Sequence, residues 1–391
     1  MDQKKGLPGA IVIGDHIQAL ALARSLGQNK IPVYLFNETN MSIVRFSKHI
    51  SKYIKVPSTK DELKFVSCVL EVAKNYKLKD YLLIPTNDNA VKILSKNKIA
   101  LEKYYKIPTP EWDITKFALD KKLTYCLAKN NGIPVPETYF INNISKIREL
   151  DIQYPVLVKG VEGLNFYKKT GAKAFQAESD YELKKIWNDI SPLVESAEVI
   201  IQEKIPGSTD SMYSFCSFFK DGEAKGIWTG HKIREHPMGF GTATLAESKH
   251  TPEIIQLGSK ILKAINYYGI SEIEFKKDPR DGKFKLIEIN ARSWLWVSLA
   301  RRAGVDFATM LYKDINGEEI THNQNFEENI KWIHLYTDSW ISLKEILKGR
   351  MSIEDYLKSL KGKKEYAVFS LEDPLPFVAE TLLLPYLLMT R

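Results

Sequence analysis

The most constraining feature of the sequence is a pair of strand-like segments, SEIEFKK and KLIEINARSW, with the turn-forming residues DPRDG between them. Side chains alternate between the two faces of a strand, so Glu288, Asn290 and Arg292 share one face of the second segment. Glu272 and Glu274 share a face of the first segment in the same way. A hairpin turned at DPRDG brings these acidic faces together, and we expect Glu274 to lie beside Glu288.

Two carboxylates on neighbouring strands repel each other unless a positive group lies between them. Carboxylate and amide oxygens are the ligands that Mg²⁺ takes, so we predict a magnesium site on Glu274, Glu288 and Asn290. Arg292 would face the same site as a fixed positive charge for negative charge that develops in a reaction. The alternative interpretation is the solvated outer face of a hairpin, where such residues are ordinary. The apolar residues 294–297 favour a core beside the strand.

The start of the chain has the pattern of a parallel α/β domain. AIVIG at 10–14 is typical of a buried strand, the residues after it have apolar side chains at helical spacing, and PVYLFN supplies a second strand. YLLIPTNDNAVKIL at 81–94 repeats the strand-to-helix pattern. The first turn, Gly14-Asp15-His16, lacks a GxGxxG sequence, which disfavours a NAD-binding oxidoreductase.

Open parallel sheets bind ligands at the carboxyl ends of their strands. Asp15 and His16 follow the first strand, and Asn87 and Asp88 follow the strand that begins at Tyr81. We therefore regard these four residues as candidate substrate contacts. Helix capping is the alternative interpretation of Asn87 and Asp88, and one residue can do both.

We predict four units along the chain. A Rossmann-like βαβ domain over 1–110 is followed by two α+β lobes, over 111–195 and 196–320, and by a mixed segment over 321–391. The predicted fold class is therefore α/β and α+β. In the first lobe, the residues rich in Gly, Lys and Thr at 160–175 fit a strand, a turn and a second strand.

The charge of the chain is basic but dispersed. The chain has 56 Lys and Arg against 48 Asp and Glu, a formal net charge of +8, and no long block of like charges. This distribution fits small anionic substrates better than a nucleic-acid groove. Three widely separated cysteines, Cys68, Cys126 and Cys216, suggest neither a disulfide framework nor a zinc site, so a reducing cytoplasm is the expected compartment.

Neither end of the chain predicts a membrane-spanning segment. The apolar run near the N-terminus is too short for a signal segment, and no window reaches ~18 uninterrupted apolar residues. The tail, FVAETLLLPYLLMTR, is interrupted by Glu380 and Pro385. We expect a terminal helix docked on the core, with a membrane-surface anchor as the alternative interpretation.

An ordered series of motifs over 110–310 resembles the ATP-grasp ligases. In that family the nucleotide lies between two small α+β lobes, and lysines reach its phosphates. Asp120-Lys121 at the start of a helix resembles the site of the first lysine, and Lys159, which closes the strand in YPVLVKG, resembles the second. A solvent-exposed surface lysine is the alternative interpretation of either residue. Two lysines at the positions expected for the family, a helix start and a strand end, make this alternative less favourable.

The resemblance also assigns the remaining nucleotide residues, from the segment VIIQEKIPG onward. It implies that Glu203 accepts a hydrogen bond from the adenine amine and that Asp210 binds the ribose. Lys204 and Ile205 would offer backbone contacts to the base. For the acidic hairpin it implies Mg²⁺, with Mn²⁺ as an alternative ion, and a catalytic role for Arg292.

The segment GHKIREHPMGFGTATLAES at 230–248 resembles a subset of the family, the carboxylate–amine ligases, which includes enzymes that attach D-aspartate to cell-wall precursors. In this subset Lys232 and Arg234 would bind phosphate or the substrate carboxylate during catalysis. A solvated hairpin arm is the alternative interpretation of both. The turn Gly239-Phe240-Gly241 would approach the substrate closely, and the substrate pocket would begin at Ser293 and Trp294.

The loop that should cover the phosphates departs from the family pattern. This loop is usually rich in glycine, because bare backbone amides must approach the phosphates. Here it reads GVEGLNFYKKTGAKAF, with spread glycines and with Lys168 and Lys169. Lysine charge would then replace backbone amides. The alternative is an impaired nucleotide site in a regulatory protein that binds a nucleotide without turnover.

These features together predict an ATP-dependent carboxylate–amine ligase that forms a C–N bond through an acyl phosphate and releases ADP and phosphate. Its partners would be a small-molecule carboxylate and an amine, without nucleic acid, and homodimers are common among relatives. Enzymes similar to carbamoyl-phosphate synthase or biotin-dependent carboxylases use the same core. The first typically duplicate the core and the second carry a longer C-terminal domain, and this sequence shows neither feature.

Overall fold

Three β-sheets organise the computed structural model, which describes residues 8–140, 151–237, 239 and 241–390. The first sheet is parallel and belongs to the N-terminal part of the chain. The other two sheets, of four and seven strands, are largely antiparallel. This combination confirms the predicted α/β and α+β fold class.

The N-terminal domain is a five-stranded parallel sheet with helices between its strands. Its elements are β1 (Ala10–Ile13), α1 (Ile17–Gln28), β2 (Val33–Asn37), β3 (Ile50–Lys55), α2 (Glu62–Asn75), β4 (Tyr81–Pro85), α3 (Asp88–Lys96), α4 (Lys98–Leu101) and β5 (Tyr105–Lys106). The order β3-β2-β1-β4-β5 puts β2 and β4 on opposite sides of β1. The strand order therefore reverses at β1 and β4, which forms the kind of crevice where parallel sheets bind ligands.

Two helices then lead into a small lobe built on the four-stranded sheet. The elements are α5 (Trp112–Leu119), α6 (Lys121–Asn130), β6 (Thr138–Phe140), β7 (Val156–Gly160), α7 (Gly163–Thr170), β8 (Ala174–Ala177), α8 (Asp180–Ile190) and β9 (Val199–Glu203). The strands lie in the order β6-β9-β7-β8. Antiparallel pairing of β7 with β9 places Lys159 opposite Ile200, at the end of the sheet that approaches α6.

The strand, turn and strand predicted for 160–175 are wrong, because the residues after β7 form the helix α7. Phe166 on this helix is buried in the core of the small lobe. A Cβ on Gly160 would lie 2.2 Å from Phe166 Cβ, so the glycine allows the helix to pack against its own strand. Gly171 ends the helix with a φ of 75°, a left-handed conformation. The glycines that suggested a loop therefore serve a packing contact and a helix end.

The large lobe begins with a hairpin formed by its first two strands. Its elements are β10 (Met212–Lys220), β11 (Glu223–His236), β12 (Thr242–Ser248), α9 (Pro252–Ala264), β13 (Gly269–Lys277), β14 (Phe284–Asn290), α10 (Val297–Arg302), α11 (Phe307–Ile315) and β15 (Lys331–Ile333). Asp221 and Gly222 turn the hairpin at φ values of 54° and 77°. Positive φ at both positions is typical of the two-residue hairpin turn that an Asp-Gly sequence favours.

The C-terminal segment completes the large sheet and adds three helices. Its elements are α12 (Leu335–Leu347), α13 (Ile353–Ser359), β16 (Lys364–Tyr366) and α14 (Leu375–Thr390). The seven strands of the sheet lie in the order β14-β13-β10-β11-β12-β15-β16. The residue numbers at which we divided the chain into four units stay predictions.

A buried ion pair fastens the C-terminal segment to the N-terminal domain. Arg24 Nε on α1 lies 2.9 Å from Asp373 Oδ2. The Ser47 hydroxyl and the Lys48 backbone N–H donate to the same carboxylate at 2.7 and 2.9 Å. A carboxylate this deeply buried requires such partners, because leaving water costs it several kcal/mol. The first and last parts of the chain therefore stabilise each other.

The tail helix α14 is docked, as predicted. Ala379 and Leu387 lie in the largest core cluster, and the Glu380 carboxylate lies 2.7 Å from His334 Nε2. The charge that interrupts the apolar tail in the sequence thus has a buried partner. Within the residues that the structure describes, no helix is long and apolar enough to cross a membrane.

Candidate active site

The acidic hairpin forms with the predicted register. In the antiparallel ladder of β13 and β14, Glu274 is opposite Glu288 and Glu272 is opposite Asn290. The ladder shifts register between Glu274 and Phe275, directly after the carboxylate pair. The two strands thus present a contiguous group of three carboxylates and one amide, rather than a row of isolated charges.

Two lysines neutralise the facing carboxylates. Lys232 Nζ on β11 lies 2.9 Å from Glu274 Oε1, and Lys121 Nζ at the start of α6 lies 3.6 Å from Glu288 Oε2. Burial alone lowers the pKa of Lys232, but Glu274 and then Glu272 outweigh burial and raise it above its ordinary value. Burial alone raises the pKa of Glu288, but Lys121 and Lys232 hold it below its ordinary value. Lys232 and Glu288 are therefore charged at neutral pH.

The donor set fits a hard divalent cation. Glu274, Glu288 and Asn290 offer carboxylate and amide oxygens from neighbouring strands, which is the ligand type that Mg²⁺ takes. In the described part of the chain, no group of three or more His, Cys, Asp or Glu side chains is arranged to hold a metal ion. A metal here would therefore depend on the amide oxygen of Asn290 and on oxygen atoms brought by a nucleotide.

Glu272 is a site residue that the sequence analysis did not assign. The Asn290 side-chain amide donates to Glu272 Oε2 at 3.1 Å, and the Ser214 hydroxyl donates to Glu272 Oε1 at 2.8 Å. Because the amide nitrogen of Asn290 is held by Glu272, its oxygen faces the site, where Arg292 Nη2 donates to it at 3.1 Å. Glu272 thus orients a candidate metal ligand. The signal was present, since alternation places Glu272 on the face of Glu274.

Arg292 is held by three groups, one of them from the N-terminal domain. Its Nε donates to Asp88 Oδ1 at 2.6 Å, its Nη1 to the Ser293 carbonyl at 3.0 Å, and its Nη2 to Asn290 Oδ1. Asp88 is in the first turn of α3, at the carboxyl end of β4. The residue that the sequence offered as a substrate contact therefore contacts the predicted catalytic arginine.

The two lysines predicted at the phosphates lie on separate elements that meet at the hairpin. The Asp120 carboxylate caps α6 by accepting from the backbone of Lys122 and Leu123 at 2.8 and 3.1 Å. The Lys121 backbone N–H donates to the Val161 carbonyl at 3.2 Å, which links α6 to the residues after β7. This cap orients the first turn of α6, so that Lys121 points toward Glu288.

Lys159 has one direct side-chain partner. Its Nζ donates to Gln202 Oε1 at 3.0 Å, and Gln202 Nε2 donates in turn to the Thr138 hydroxyl at 2.9 Å. Burial, together with the neighbouring Lys121 charge, lowers the pKa of Lys159 from 10.5 to about 8. An ammonium with a neutral partner in a buried position is prepared to bind an anion.

The hinge carboxylate of Glu203 has several protein partners. Its Oε1 accepts from Lys285 Nζ at 2.8 Å and from the Glu137 backbone N–H at 3.0 Å, and its Oε2 lies 2.7 Å from Arg280 Nη2. The Lys204 backbone N–H donates to the Pro155 carbonyl at 3.0 Å. The adenine contacts predicted for these residues would have to be added to this network, and they stay predictions.

The remaining hinge residues, Ile205 and Asp210, make fewer side-chain contacts than Glu203. Ile205 is buried, and Asp210 lies in a short 3-10 turn where the Ser208 hydroxyl donates to its Oδ1 at 2.5 Å. The Asp210 backbone carbonyl lies 3.4 Å from His231 Nδ1 on β11. The binding of the ribose by Asp210 stays a prediction.

Lys232 and Arg234 are both buried, so the solvated hairpin arm is the wrong interpretation for both. The ladder of β11 with β12 shifts register between them, and the two side chains have different partners. Arg234 Nε and Nη2 donate to the Asp338 carboxylate at 2.9 and 2.8 Å, and its Nη1 donates to the Ser359 hydroxyl at 2.6 Å. Lys232 belongs to the hairpin site, whereas Arg234 anchors the helices α12 and α13.

The candidate substrate residues lie at the carboxyl edge of the N-terminal sheet and after β14. The Asn87 side chain caps α3 by accepting from the Ala90 backbone N–H at 2.9 Å, which confirms the capping interpretation. Asp15 and His16 precede α1, across the crevice from Asn87. A Cβ on Gly14 would lie 2.4 Å from Thr86 Oγ1, so β1 and β4 approach each other closely there.

The residues after β14 are more deeply buried than the sequence suggested. Trp294 does not begin a pocket, because it stacks on Trp228 with ring centroids 6.1 Å apart in the core. Ser293 Oγ and Thr109 Oγ1 are buried without a hydrogen-bond partner beside a small cavity. In the predicted turn at 239–241, Gly241 packs against the His236 and Pro237 backbone. Phe240 lies outside the described residues.

The lysines of the predicted covering loop do not converge on the hairpin. Lys169 Nζ lies 2.7 Å from Glu198 Oε2, so its charge is neutralised on the outer side of α7. Lys168 is exposed. Glu162, directly before α7, lies 2.8 Å from Lys92 Nζ on α3. The segment predicted to cover the phosphates is therefore attached to the N-terminal domain by an ion pair.

Comparisons with known proteins agree with this arrangement. A family model for the carbamoyl-phosphate synthase L chain, ATP binding domain, matches residues 235–322. The chain is 25% identical over 320 residues to D-aspartate ligase of Enterococcus faecium, which covers 78% of this chain and 76% of that protein. It is 26% identical over 229 residues to the carbamoyl phosphate synthase large chain of a Thermoanaerobacter species, but spans only 20% of that protein.

Solved structures show the same fold at low identity. N5-carboxyaminoimidazole synthetase from Staphylococcus aureus, complexed with ADP, superimposes with a TM-score of 0.67 and 13% identity, over 88% of this chain and 86% of that one. L-amino acid ligase from Bacillus licheniformis superimposes with a TM-score of 0.62 and 14% identity, over 79% and 74%.

The sheets, the acidic hairpin and these similarities define the class of the protein: the chain has the fold of the ATP-grasp ligases and is similar in sequence to members of that family. Within that family it is similar to carboxylate–amine ligases, and D-aspartate ligase is a relative matched over most of both chains.

The pKa of Lys159 generates a pH-dependent prediction. A phosphate beside the ammonium would raise this pKa from its value of about 8, so nucleotide binding near that pH takes up a proton. The affinity for ADP should fall as the pH rises above this value, because the neutral amine must first be protonated. Calorimetry in two buffers of different ionisation enthalpy measures the uptake.

Lys159→Arg is the matched control, because an arginine stays charged throughout this pH range. The variant should bind ADP without the proton uptake at this pH. Equal uptake in the variant and the original protein would show that another group binds the proton.

Proposed function

We propose that this protein is an ATP-dependent carboxylate–amine ligase that forms an amide through an acyl-phosphate intermediate and releases ADP and phosphate. The observation that carries the proposal is the acidic hairpin with Arg292 and Lys121 at one site, in a chain similar to D-aspartate ligase over most of its length. The names of two relatives, a D-aspartate ligase and an L-amino acid ligase, favour an amino acid as one substrate.

The chemistry requires activation of a carboxylate, because an amine does not displace oxygen from a carboxylate in water. Transfer of the terminal phosphoryl group of ATP to the carboxylate creates an acyl phosphate with a good leaving group. Mg²⁺ or Mn²⁺, bound by Glu274, Glu288 and Asn290, would neutralise phosphate charge. Phosphoryl transfer depends mainly on positioning and charge neutralisation, so no Ser or Cys nucleophile is needed.

The chain's own cations divide this work. Lys121 is the first residue of α6 and Lys159 lies near the end of β7, and both would bind the phosphates. Arg292 would stabilise the charge of the transferring phosphoryl group and the oxyanion that forms when the amine attacks. Lys232 would balance the charge of Glu274, because Lys232 Nζ lies 2.9 Å from Glu274 Oε1 with little solvent access to either side chain.

Substrates would occupy the crevice between the N-terminal sheet and the strand β14. Asp15, His16, Asn87 and Ser293 border this region, and Gly241 belongs to the turn between β11 and β12. The base of the nucleotide would lie at the hinge, with Glu203, Lys204 and Ile205 beside the adenine and Asp210 beside the ribose. Helix α7 would shield the acyl phosphate from water.

We also propose that Asp88 positions Arg292 and does not contact substrate. Asp88 and Lys92 are four residues apart on α3 and so share one face of the helix. Asp88 binds Arg292 of the large lobe, and Lys92 binds Glu162 of the small lobe. Helix α3 therefore connects the position of the arginine to the position of the covering helix.

The first test is ADP release in the presence of Mg²⁺, measured with a panel of amino acids as carboxylate and amine. The Glu288→Gln variant should lose activity about 100-fold or more, because it removes a charged oxygen donor from the metal site. Asp281→Asn is the matched control, since Asp281 is an exposed carboxylate in the turn of the same hairpin.

Equal activity of Glu288→Gln and the original protein would overturn the metal assignment. If the original protein binds ADP but no combination of amino acids releases it from ATP, the regulatory alternative replaces the ligase. Failure to bind ATP at all by calorimetry would contradict the nucleotide site itself.

A second substitution tests the positioning role. Asp88→Asn should lower kcat roughly 10- to 100-fold, because Arg292 loses the charged partner that orients its Nε. The KM for ATP should change less than kcat, since Asp88 forms its ion pair with Arg292 and acts on Lys121 only through its charge. The exposed carboxylate Asp113 supplies the control Asp113→Asn. A large rise in the KM for the amino acid at unchanged kcat would instead place Asp88 on the substrate.

A further inference from the structure

Helix α12 buries polar side chains and exposes apolar ones, the reverse of an ordinary surface helix. Its buried face carries Asp338, Ser342 and Glu345 beside Ile341. Its outward face carries Trp340, which is 61% exposed, together with Leu343 and with Leu347, which is 79% exposed. Surface helices normally bury their apolar stripe and expose their charges. The outward face of α12 therefore has the composition of a face that is covered.

The helix cannot rotate to bury this face, because its polar face is fixed by ion pairs. The Asp338 carboxylate is fully buried and accepts from Arg234 and from the Thr244 hydroxyl. Glu345 at the other end pairs with Arg350, which directly follows the same helix, at 2.7 Å. Removing one partner of a buried ion pair is strongly destabilising, so the Asp338–Arg234 pair determines the orientation of α12.

Helix α14 also exposes apolar side chains, although Ala379 and Leu387 on it are buried in the core. Its only charged side chain, Glu380, is buried against His334, whereas Leu375, Val378 and Leu382 are exposed. The two helices pack directly on each other, because the rings of Tyr336 and Phe377 stack with centroids 5.4 Å apart. We call the outward side chains of both helices the apolar C-terminal face; it comprises Trp340, Leu343, Leu347, Leu375, Val378 and Leu382.

Exposed apolar side chains are concentrated in this part of the molecule. Among the described residues, about half of the large apolar side chains that are exposed lie within 340–382. Single exposed apolar residues need no explanation, but a group of this kind marks an interaction surface.

The charges beside the face indicate what it contacts. Lys344 and Lys348 are exposed on α12, next to the apolar residues, and Lys361 is exposed after α13. Of the exposed acids of the segment, Glu354 pairs with Lys358, whereas Asp355 and Glu372 bond to the neutral side chains of Ser352 and Gln28 and keep their charge. On α12 itself both acids are buried, so the exposed charges beside its apolar residues are lysines.

We propose that the apolar C-terminal face docks this protein on the surface of an anionic lipid bilayer. Leucine and tryptophan on one side of a helix, with lysines at the edge, are the side chains that enter the headgroup region of membranes. In a two-fold contact with a second copy, the same lysines would be brought near their own counterparts, which is unfavourable. The contact lies on the surface, since no described helix is long enough to cross a bilayer.

Flotation of the full chain with lipid vesicles tests the proposal, independently of ligase activity. The protein should float with vesicles that contain phosphatidylglycerol and much less with vesicles of phosphatidylcholine alone. Of the seven tryptophans, all in the described part of the chain, only Trp340 is exposed. Its fluorescence should shift to shorter wavelength on binding, and Trp340→Phe should abolish that shift.

Substitutions separate the apolar and the charged contributions. Leu347→Ser with Leu382→Ser should remove most of the flotation, whereas Leu63→Ser, at an 84% exposed leucine of the N-terminal domain, should not change it. Lys344→Gln with Lys348→Gln should weaken binding to anionic vesicles roughly 25-fold, about fivefold for each lysine. None of these residues belongs to the candidate active site, so ADP release in solution should be unchanged.

Three results would overturn the proposal. The first is the absence of flotation with anionic vesicles. The second is equal flotation with neutral and anionic vesicles, unaffected by the lysine substitutions. The third is a dimer in light scattering that Leu347→Ser with Leu382→Ser dissociates, because the face would then bind a second copy of the chain.

Discussion

The site depends on the apposition of Glu274 and Glu288 across two antiparallel strands. Two carboxylates at this separation require positive charge, and the chain supplies it from two directions. Lys232 comes from a neighbouring strand of the same sheet, and Lys121 comes from the helix that leads into the small lobe. The two carboxylates of one strand pair therefore hold β11 and α6 at the site through ion pairs. A cation bound at the pair would compete with these lysines and free them for phosphate oxygens.

The N-terminal domain contributes to the site through one helix. Helix α3 places Asp88 on Arg292 and Lys92 on Glu162, so the same helix face contacts both lobes. Arg234, a basic residue of the large sheet, does not contact the acidic hairpin. A register shift separates it from Lys232, and its guanidinium binds Asp338 of α12. That buried pair fixes α12 with its apolar face outward, which connects the core of the enzyme to the proposed lipid contact.

Features set by neighbouring residues were predictable from the sequence. The register of Glu274 with Glu288 follows from strand alternation and one turn, and the capping role of Asn87 follows from its position before a helix. The bond of Arg292 to Asp88 joins residues on different domains, and local pattern carries no information on such a pair. The partners of Glu203 could not be predicted from local pattern either, because Lys285 and Arg280 come from the acidic hairpin far along the chain. The α7 helix was missed because its glycines were interpreted as a loop.

Binding of Mn²⁺ tests the central claim most directly, because it reports on the carboxylate pair without knowledge of the substrates. Electron paramagnetic resonance measures free Mn²⁺ as protein and ADP are added. The account predicts that the original protein removes free Mn²⁺ from solution in an ADP-dependent manner and that Glu288→Gln does so far less. Equal Mn²⁺ binding by the variant and the original protein would contradict it, and the hairpin would then be a salt-bridge network without a metal.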